Sequence, residues 1–205
     1  MNFVFNSEEI SALLLLSTAA SFTPGPNTTL STALAANRGM KSALQFILAV
    51  PVGWGILLAI CMAGVGNLVL AVPTLRWVIV LSGTLYLLWM AQRLWGTREL
   101  NQVNTDRLNI TFMQGVAVQF LNIKAWMLAL SVVAGWVAGK PDTLARCLIL
   151  LPVMMSFGLV SNLTYALMGS LLREWLSKGV RLIAFNRGMS LALVLTAYWM
   201  FKSSF

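Results

Sequence analysis

The chain has no histidine, two cysteines and six acidic residues in 205. Without histidine there is no Ser-His-Asp triad, no HExxH zinc helix and no imidazole proton shuttle. Cys61 and Cys147 lie far apart with no CxxC spacing, so thiol redox chemistry and Cys/His zinc sites are also excluded. Charge is scarce as well: only 10% of residues are charged, against about 25% in soluble domains. Twenty charged side chains cannot cover the surface of a soluble domain this long, so lipid must be the solvent for most of it.

What remains is apolar: 59% hydrophobic residues and a mean hydropathy of +0.81. The excess of 14 basic over 6 acidic residues gives a net charge of +8, but the basic residues sit singly at the ends of apolar runs, which argues against nucleic acid as a partner. A cleaved leader is not expected. Ala33-Leu34-Ala35 is cleavage-like, yet Glu8 and Glu9 stand where a basic n-region belongs and Pro24-Gly25-Pro26 interrupts the run.

A membrane-spanning helix needs about 20 mostly apolar residues, and six such stretches are expected. They run from about Ile10 to Asn37, Ser42 to Ala71, Leu75 to Trp95, Thr111 to Ala138, Leu144 to Leu172 and Leu182 to Phe201. The fold class is therefore an all-α integral membrane protein with a single transporter-like domain over residues 1–205. Each half opens with a polar-marked helix, follows it with a Pro-bearing one (Pro51, Pro152) and closes on a Trp-Met pair (Trp89-Met90, Trp199-Met200). Three spans per half is an odd number, so two such repeats, about 8–98 and 108–205, insert in opposite orientations, joined by a polar linker at about 96–110.

Alternate loops carry nine basic residues on one side (Arg38, Lys41, Arg93, Arg98, Arg107, Arg173, Lys178, Arg181, Arg187) and four on the other (Arg76, Lys140, Arg146, Lys202). Basic loops stay cytoplasmic, which puts the linker inside and both termini outside the cytoplasm.

Two places carry chemistry. Within Thr23-Pro24-Gly25-Pro26-Asn27 neither proline has an N–H, so the carbonyls of Ala20 and Phe22 lose their helical donors and the first helix must break. Freed carbonyls survive at membrane depth only where protein, water or a ligand supplies partners, so a polar cavity is expected there. The half-helix that follows offers N–H groups to an anion, and the carbonyls before it suit an ammonium; an amino acid carries both.

The second place is Lys124, about fourteen residues, or roughly 20 Å of helix, from either end of the fourth span. A lysine there costs about 3 kcal/mol on insertion scales and should face a cavity. An alternative stays open, in which residues 114–124 form a shallow or re-entrant segment that keeps Lys124 near water.

No acidic residue falls inside any expected span, so neither a metal site nor a receptor for a cationic side chain is visible. Gln119, Asn162 and Tyr165 are secondary candidates, open to a packing role instead. Gly158, Asn162, Ala166 and Ser170, and the GxxxG pair Gly135 and Gly139, read as close-packing faces, the latter within one chain or in a homodimer. No cofactor is called for. The non-transport alternatives are a membrane scaffold whose polar residues lock helix interfaces and, more weakly, an enzyme, for which Lys124 has no partner acid, nucleophile or metal set.

With Pro24-Gly25-Pro26-Asn27 in the first span and Phe120-Leu121-Asn122-Ile123-Lys124-Ala125 in the fourth, the chain resembles the LysE/RhtB family of amino-acid exporters over essentially its whole length. That family carries a PGP motif in its first helix and commonly Asn-Pro-Lys-Ala in its fourth. Asn122, Lys124 and Ala125 match, while Ile123 replaces the usual proline, keeps its N–H and predicts a straighter fourth helix. The resemblance implies export of amino acids or close derivatives across a bacterial inner membrane, driven by the proton-motive force. Members differ in substrate, and the absence of a buried carboxylate here selects a neutral amino acid. Thr23, Pro24, Gly25, Pro26 and Asn27 with Asn122 and Lys124 are the expected binding residues, with the substrate carboxylate on Lys124 and protons as coupling ion.

Overall fold

A computed structural model describes residues 4–66, 71–98, 100, 110–178 and 180–202. Most of the expected polar linker, residue 99 and residues 101–109, lies outside the described residues. All regular structure among the described residues is helical: α1 Ser7–Phe22, α2 Pro26–Arg38, α3 Met40–Met62, α4 Pro73–Trp95, α5 Phe112–Leu121, α6 Ile123–Trp136, α7 Thr143–Leu176 and α8 Arg181–Lys202.

Local chemistry sets these boundaries. Asn6 caps α1 through its side-chain oxygen on the Glu9 N–H, and Glu9 returns a bond to the Asn6 N–H. Pro24 ends α1, and Pro26 starts α2 at the position where a missing N–H is harmless. Gly39, at φ +85°, separates α2 from α3 in a conformation that favours glycine. Thr111 and Gln114 form the reciprocal cap of α5.

Four helices, α3, α4, α7 and α8, are long and apolar enough to cross a membrane, and the pair α5 and α6 makes a fifth if its 69° bend is one broken span. The chain is thus a multi-pass membrane protein. At 34 residues α7 is longer than the fifth stretch read from the sequence, about 51 Å of helix. Large apolar side chains such as Leu15, Leu85, Leu144 and Leu171 point outward, as lipid contact requires.

The least apolar helix is the most buried. In α2, Pro26 and every residue from Thr28 to Asn37 are buried, packed among α3, α7 and α8. Polar bonds to three helices make that burial tolerable. Asn27 exchanges both amide bonds with Gln119 of α5, at 2.8 and 3.2 Å. Ser31 donates to Asn162 of α7 at 2.8 Å. Asn37 exchanges both with Asn186 of α8, at 2.7 and 2.8 Å. The close approach of α7 falls at Gly169, where a β-carbon would overlap the Thr32 carbonyl.

Two expectations need correction. The fourth helix is not straighter for lacking proline: it breaks at Asn122, whose backbone is extended and whose side-chain oxygen takes the Lys124 N–H at 3.1 Å. An asparagine cap replaces an i to i−4 bond as effectively as a proline removes one. Of the two close-packing faces, Asn162 and Ala166 are buried as expected, whereas β-carbons at Gly158 and at the GxxxG pair Gly135 and Gly139 would meet nothing within 4 Å, so these glycines do not pack closely within the chain.

At one end, Arg146 grips Glu9 with two nitrogens at 3.2 Å each and also donates to the Trp136 and Pro141 carbonyls, while Lys140 reaches Glu9 at 3.0 Å. This clamp ties the start of α1, ahead of the apolar run, to the end of α6 and the start of α7. The Arg146 and Lys140 hydrogen bonds hold the Glu9 carboxyl down to about 2.

Candidate functional site

The two helix breaks meet. Lys124, in the first turn of α6, extends its ammonium to the Thr23 carbonyl at 3.4 Å, and a β-carbon on Gly25 would stand 3.5 Å from the same nitrogen. Gly25 is extended, at φ −167°, and 3.5 Å is ordinary van der Waals contact, so neither backbone strain nor crowding of the lysine demands a glycine here.

Each break frees carbonyls, and each finds an aromatic donor. Tyr165 donates its hydroxyl to the Phe22 carbonyl at 2.9 Å. The Trp126 indole donates to the Phe120 carbonyl at 2.9 Å, the acceptor that the Lys124 N–H leaves when it turns to Asn122. Thr23, whose carbonyl would serve residue 27 in an unbroken helix, takes Lys124 instead. The Thr28 hydroxyl closes the start of α2 by accepting from the Gly25 N–H at 2.9 Å and donating to the Gly25 carbonyl at 3.1 Å.

Beside this crossing lies a cavity of about 80 Å³, several times the ~10–15 Å³ that one water needs. Thr23, Gly25, Pro26, Asn27, Asn122, Lys124 and Asn162 all line it, so six of the seven primary residues and one of the secondary three come together. Pro24 lines a second cavity on the far side of the break. Gln119 and Tyr165 line neither: Gln119, fully buried, positions Asn27, and Tyr165 supports the α1 end. Asn162, besides lining the cavity, accepts from Ser31 and donates to Gly158.

The sequence reading missed Trp54, Met154 and Ser161 on the cavity wall. Trp54 carried a signal, since an indole far from either span end has no interface to occupy; Ser161 carried none.

The electrostatics favour an anion. The first turns of α2 and α6 both bring the positive ends of their dipoles to this cavity; in α2 the Asn27 and Thr28 N–H groups precede the first intrahelical bond, whereas in α6 Asn122 already takes the Lys124 and Ala125 N–H groups. Lys124 adds its amine, and among the described residues no carboxylate pairs with it. The opposite pole is supplied by the end of α1, where the Ala20 carbonyl has no i+4 donor because Pro24 has no N–H. Among the described residues no cluster of three metal-ligating side chains exists.

The chain is similar to proteins of known name. The cysteine/O-acetylserine efflux proteins of Escherichia coli (strain K12) and Shigella sonnei (strain Ss046) are each 22% identical over 166 residues, covering 80% of this chain and 84% of the relative. No solved structure matches the chain. The LysE type translocator family matches residues 18–202, a stretch that takes in both breaks, Lys124 and every helix but the first turns of α1, and so the chain belongs to the LysE family, whose members are membrane transporters and not enzymes.

Proposed function

We propose that the protein exports small neutral amino acids or close derivatives from the cytoplasm across a bacterial inner membrane, by exchange for protons. The observation that carries this reading is the meeting of Lys124 with the starts of α2 and α6 on one cavity that has no carboxylate. The substrate carboxylate binds Lys124 and the first N–H groups of α2. Its ammonium faces the carbonyls at the end of α1, with the Asn122 and Asn162 amides beside it. A lysine or arginine side chain would find no anion here, hence the neutral class.

The wider architecture in this proposal is six spans in two inverted repeats, α1–α4 and α5–α8, each opening with a broken helix, with both termini outside the cytoplasm. Two related features favour it: each half begins with a helix pair interrupted at the cavity, and basic residues crowd the loops assigned to the cytoplasm. Alternating access is the rocking of one half against the other about the crossing. Coupling follows if Lys124 alternates between carrying a proton and holding the substrate, so that the two compete for it: the proton taken up from outside is released to the cytoplasm before substrate binds. The efflux of cysteine and O-acetylserine named for the relatives is consistent with a small zwitterionic substrate.

The test uses inverted membrane vesicles with an acidic lumen and labelled neutral amino acids. Wild type accumulates label only while the gradient stands. Lys124→Met inserts but falls to background, and Lys124→Arg recovers at most part of the coupling because arginine does not release its proton. Gradient-driven accumulation by Lys124→Met at the wild-type rate would refute the assignment, and no uptake of any amino acid by wild type would favour a scaffold.

A further inference from the structure

The second cavity, on the other side of the break, has about 350 Å³ and shares Thr23, Gly25, Pro26, Asn122 and Lys124 with the first. The crossing is therefore a common wall, and Lys124 stands in it. The two compartments differ in chemistry. The smaller sets the amides and hydroxyls of Asn27, Thr28, Ser161 and Asn162 against apolar walls from Val50, Trp54, Leu128 and Met154. The larger is closed by one face of α8, made of Leu195, Thr196, Trp199 and Met200.

That α8 face is apolar in effect as well as in composition. The Thr196 hydroxyl donates to the Ala192 carbonyl at 2.8 Å, so its proton is not offered to the groove. Leu195 and Trp199 are 58% and 53% exposed, so the groove opens sideways toward lipid. A solute group lying against α8 meets hydrocarbon there, while Thr23, Asn122 and Lys124 stand on the wall shared with the smaller compartment. An apolar group enters such a place favourably; a hydroxyl or an amide enters without a partner and is penalised.

We infer that the α8 groove receives the substrate's side chain, that Leu195, Thr196, Trp199 and Met200 set its specificity, and that the preferred substrates are neutral amino acids with branched or otherwise apolar side chains. This rests on the transport reading above and deepens it. The zwitterionic head, with its ammonium and carboxylate, sits against the small polar cavity, and the α-carbon lies at the shared wall beside Gly25, where a side chain on the protein would be in the way. Discrimination follows from volume and polarity: a few methylenes in an apolar pocket are worth about tenfold or more in rate ratio.

The experiment measures labelled leucine, alanine and serine taken up by proteoliposomes holding the full chain, and reads rate ratios, which the amount of active protein does not affect. Wild type prefers leucine to serine by at least tenfold. Thr196→Phe, which fills the groove, lowers the leucine-to-alanine ratio at least tenfold, and Trp199→Ala, which widens it, shifts the ratio less and in favour of bulkier side chains. Leu171→Phe, on an outward face of α7, leaves the ratio unchanged. A wild type that prefers serine, or a ratio that Thr196→Phe does not move, overturns the inference while leaving export intact. If nothing is transported, thermal melting of the detergent-solubilised protein separates the two readings. Stabilisation by leucine over serine that Thr196→Phe removes keeps the groove and defeats the export reading; stabilisation by neither defeats both.

Discussion

Gly83 is the position where a single methyl group should reach the site without touching it. It lies on α4 beneath the end of α5, and a β-carbon there would overlap the carbonyl oxygen of Leu121, the residue just before the break. The same β-carbon would also come to 3.0 Å from the Met200 methyl, but a methionine end can swing away and a backbone carbonyl cannot. For Gly83→Ala to fold, α4 and α5 must part by roughly 1 Å, and the displaced carbonyl is one residue from Asn122 and three from Lys124. Overpacking of this kind costs about 1–3 kcal/mol. A shift of about 1 Å in a positioning element can lower a rate on the order of 10²-fold. Transport by proteoliposomes and thermal melting of the purified protein, run together on wild type, Gly83→Ala and Gly135→Ala, test both numbers. Gly83→Ala is expected to lose stability in that range and at least tenfold in transport. Gly135→Ala, whose methyl meets nothing within 4 Å, is expected to match wild type. Wild-type transport and melting in Gly83→Ala would refute the claim that the Asn122 break is held by α4.

Two further outcomes follow from the polar contacts. The reciprocal Asn37 and Asn186 pair, both fully buried, should give a double-mutant coupling of about 0.6–1.7 kcal/mol, the range seen for hydrogen bonds between membrane helices; unfolding of Asn37→Ala, Asn186→Ala and the double variant measures it, and additive effects would show the pair to be idle. The Glu9 carboxyl is depressed in the folded protein from an ordinary 4.5 to about 2, so its contribution to stability is complete above about 4.5 and drains away as pH falls toward 2. Melting temperature should fall across that interval in wild type and much less in Glu9→Gln, whereas equal acid sensitivity of the two would remove the clamp from the account.

The membrane class and the first break are legible in one dimension. Hydropathy is a sum over consecutive residues, and a proline without an N–H leaves its i−4 carbonyl without a donor whatever surrounds it, so the helix had to stop near Thr23. The break at Asn122 was not legible in the same way. Reading Ile123 for the missing proline pointed to a straight helix, because backbone valence was satisfied; the side chain of Asn122 competes with the backbone for the Lys124 N–H, and only packing against α3 and α4 decides which acceptor wins. Lys124 could be picked out as a charge in an apolar run, yet its distance to Gly25 depends on two helices crossing.

Gln119 and Tyr165 show the boundary most clearly. As polar residues in apolar stretches they invited a site role, and a polar residue at depth does need a partner. Which partner is a matter of where the chain returns. Tyr165 serves the carbonyl of Phe22, 143 residues away, and Gln119 serves Asn27, 92 residues away. Composition, span boundaries and the obligatory break at Pro24 follow from local rules: hydration free energy per residue and backbone hydrogen-bond valence. The position of the polar helix α2 at the centre of the bundle, the meeting of the two breaks around one lysine and the division of space into two cavities depend on contacts between segments far apart in the chain, because a buried donor is satisfied by whatever acceptor the fold brings within 3 Å and not by its neighbours in sequence.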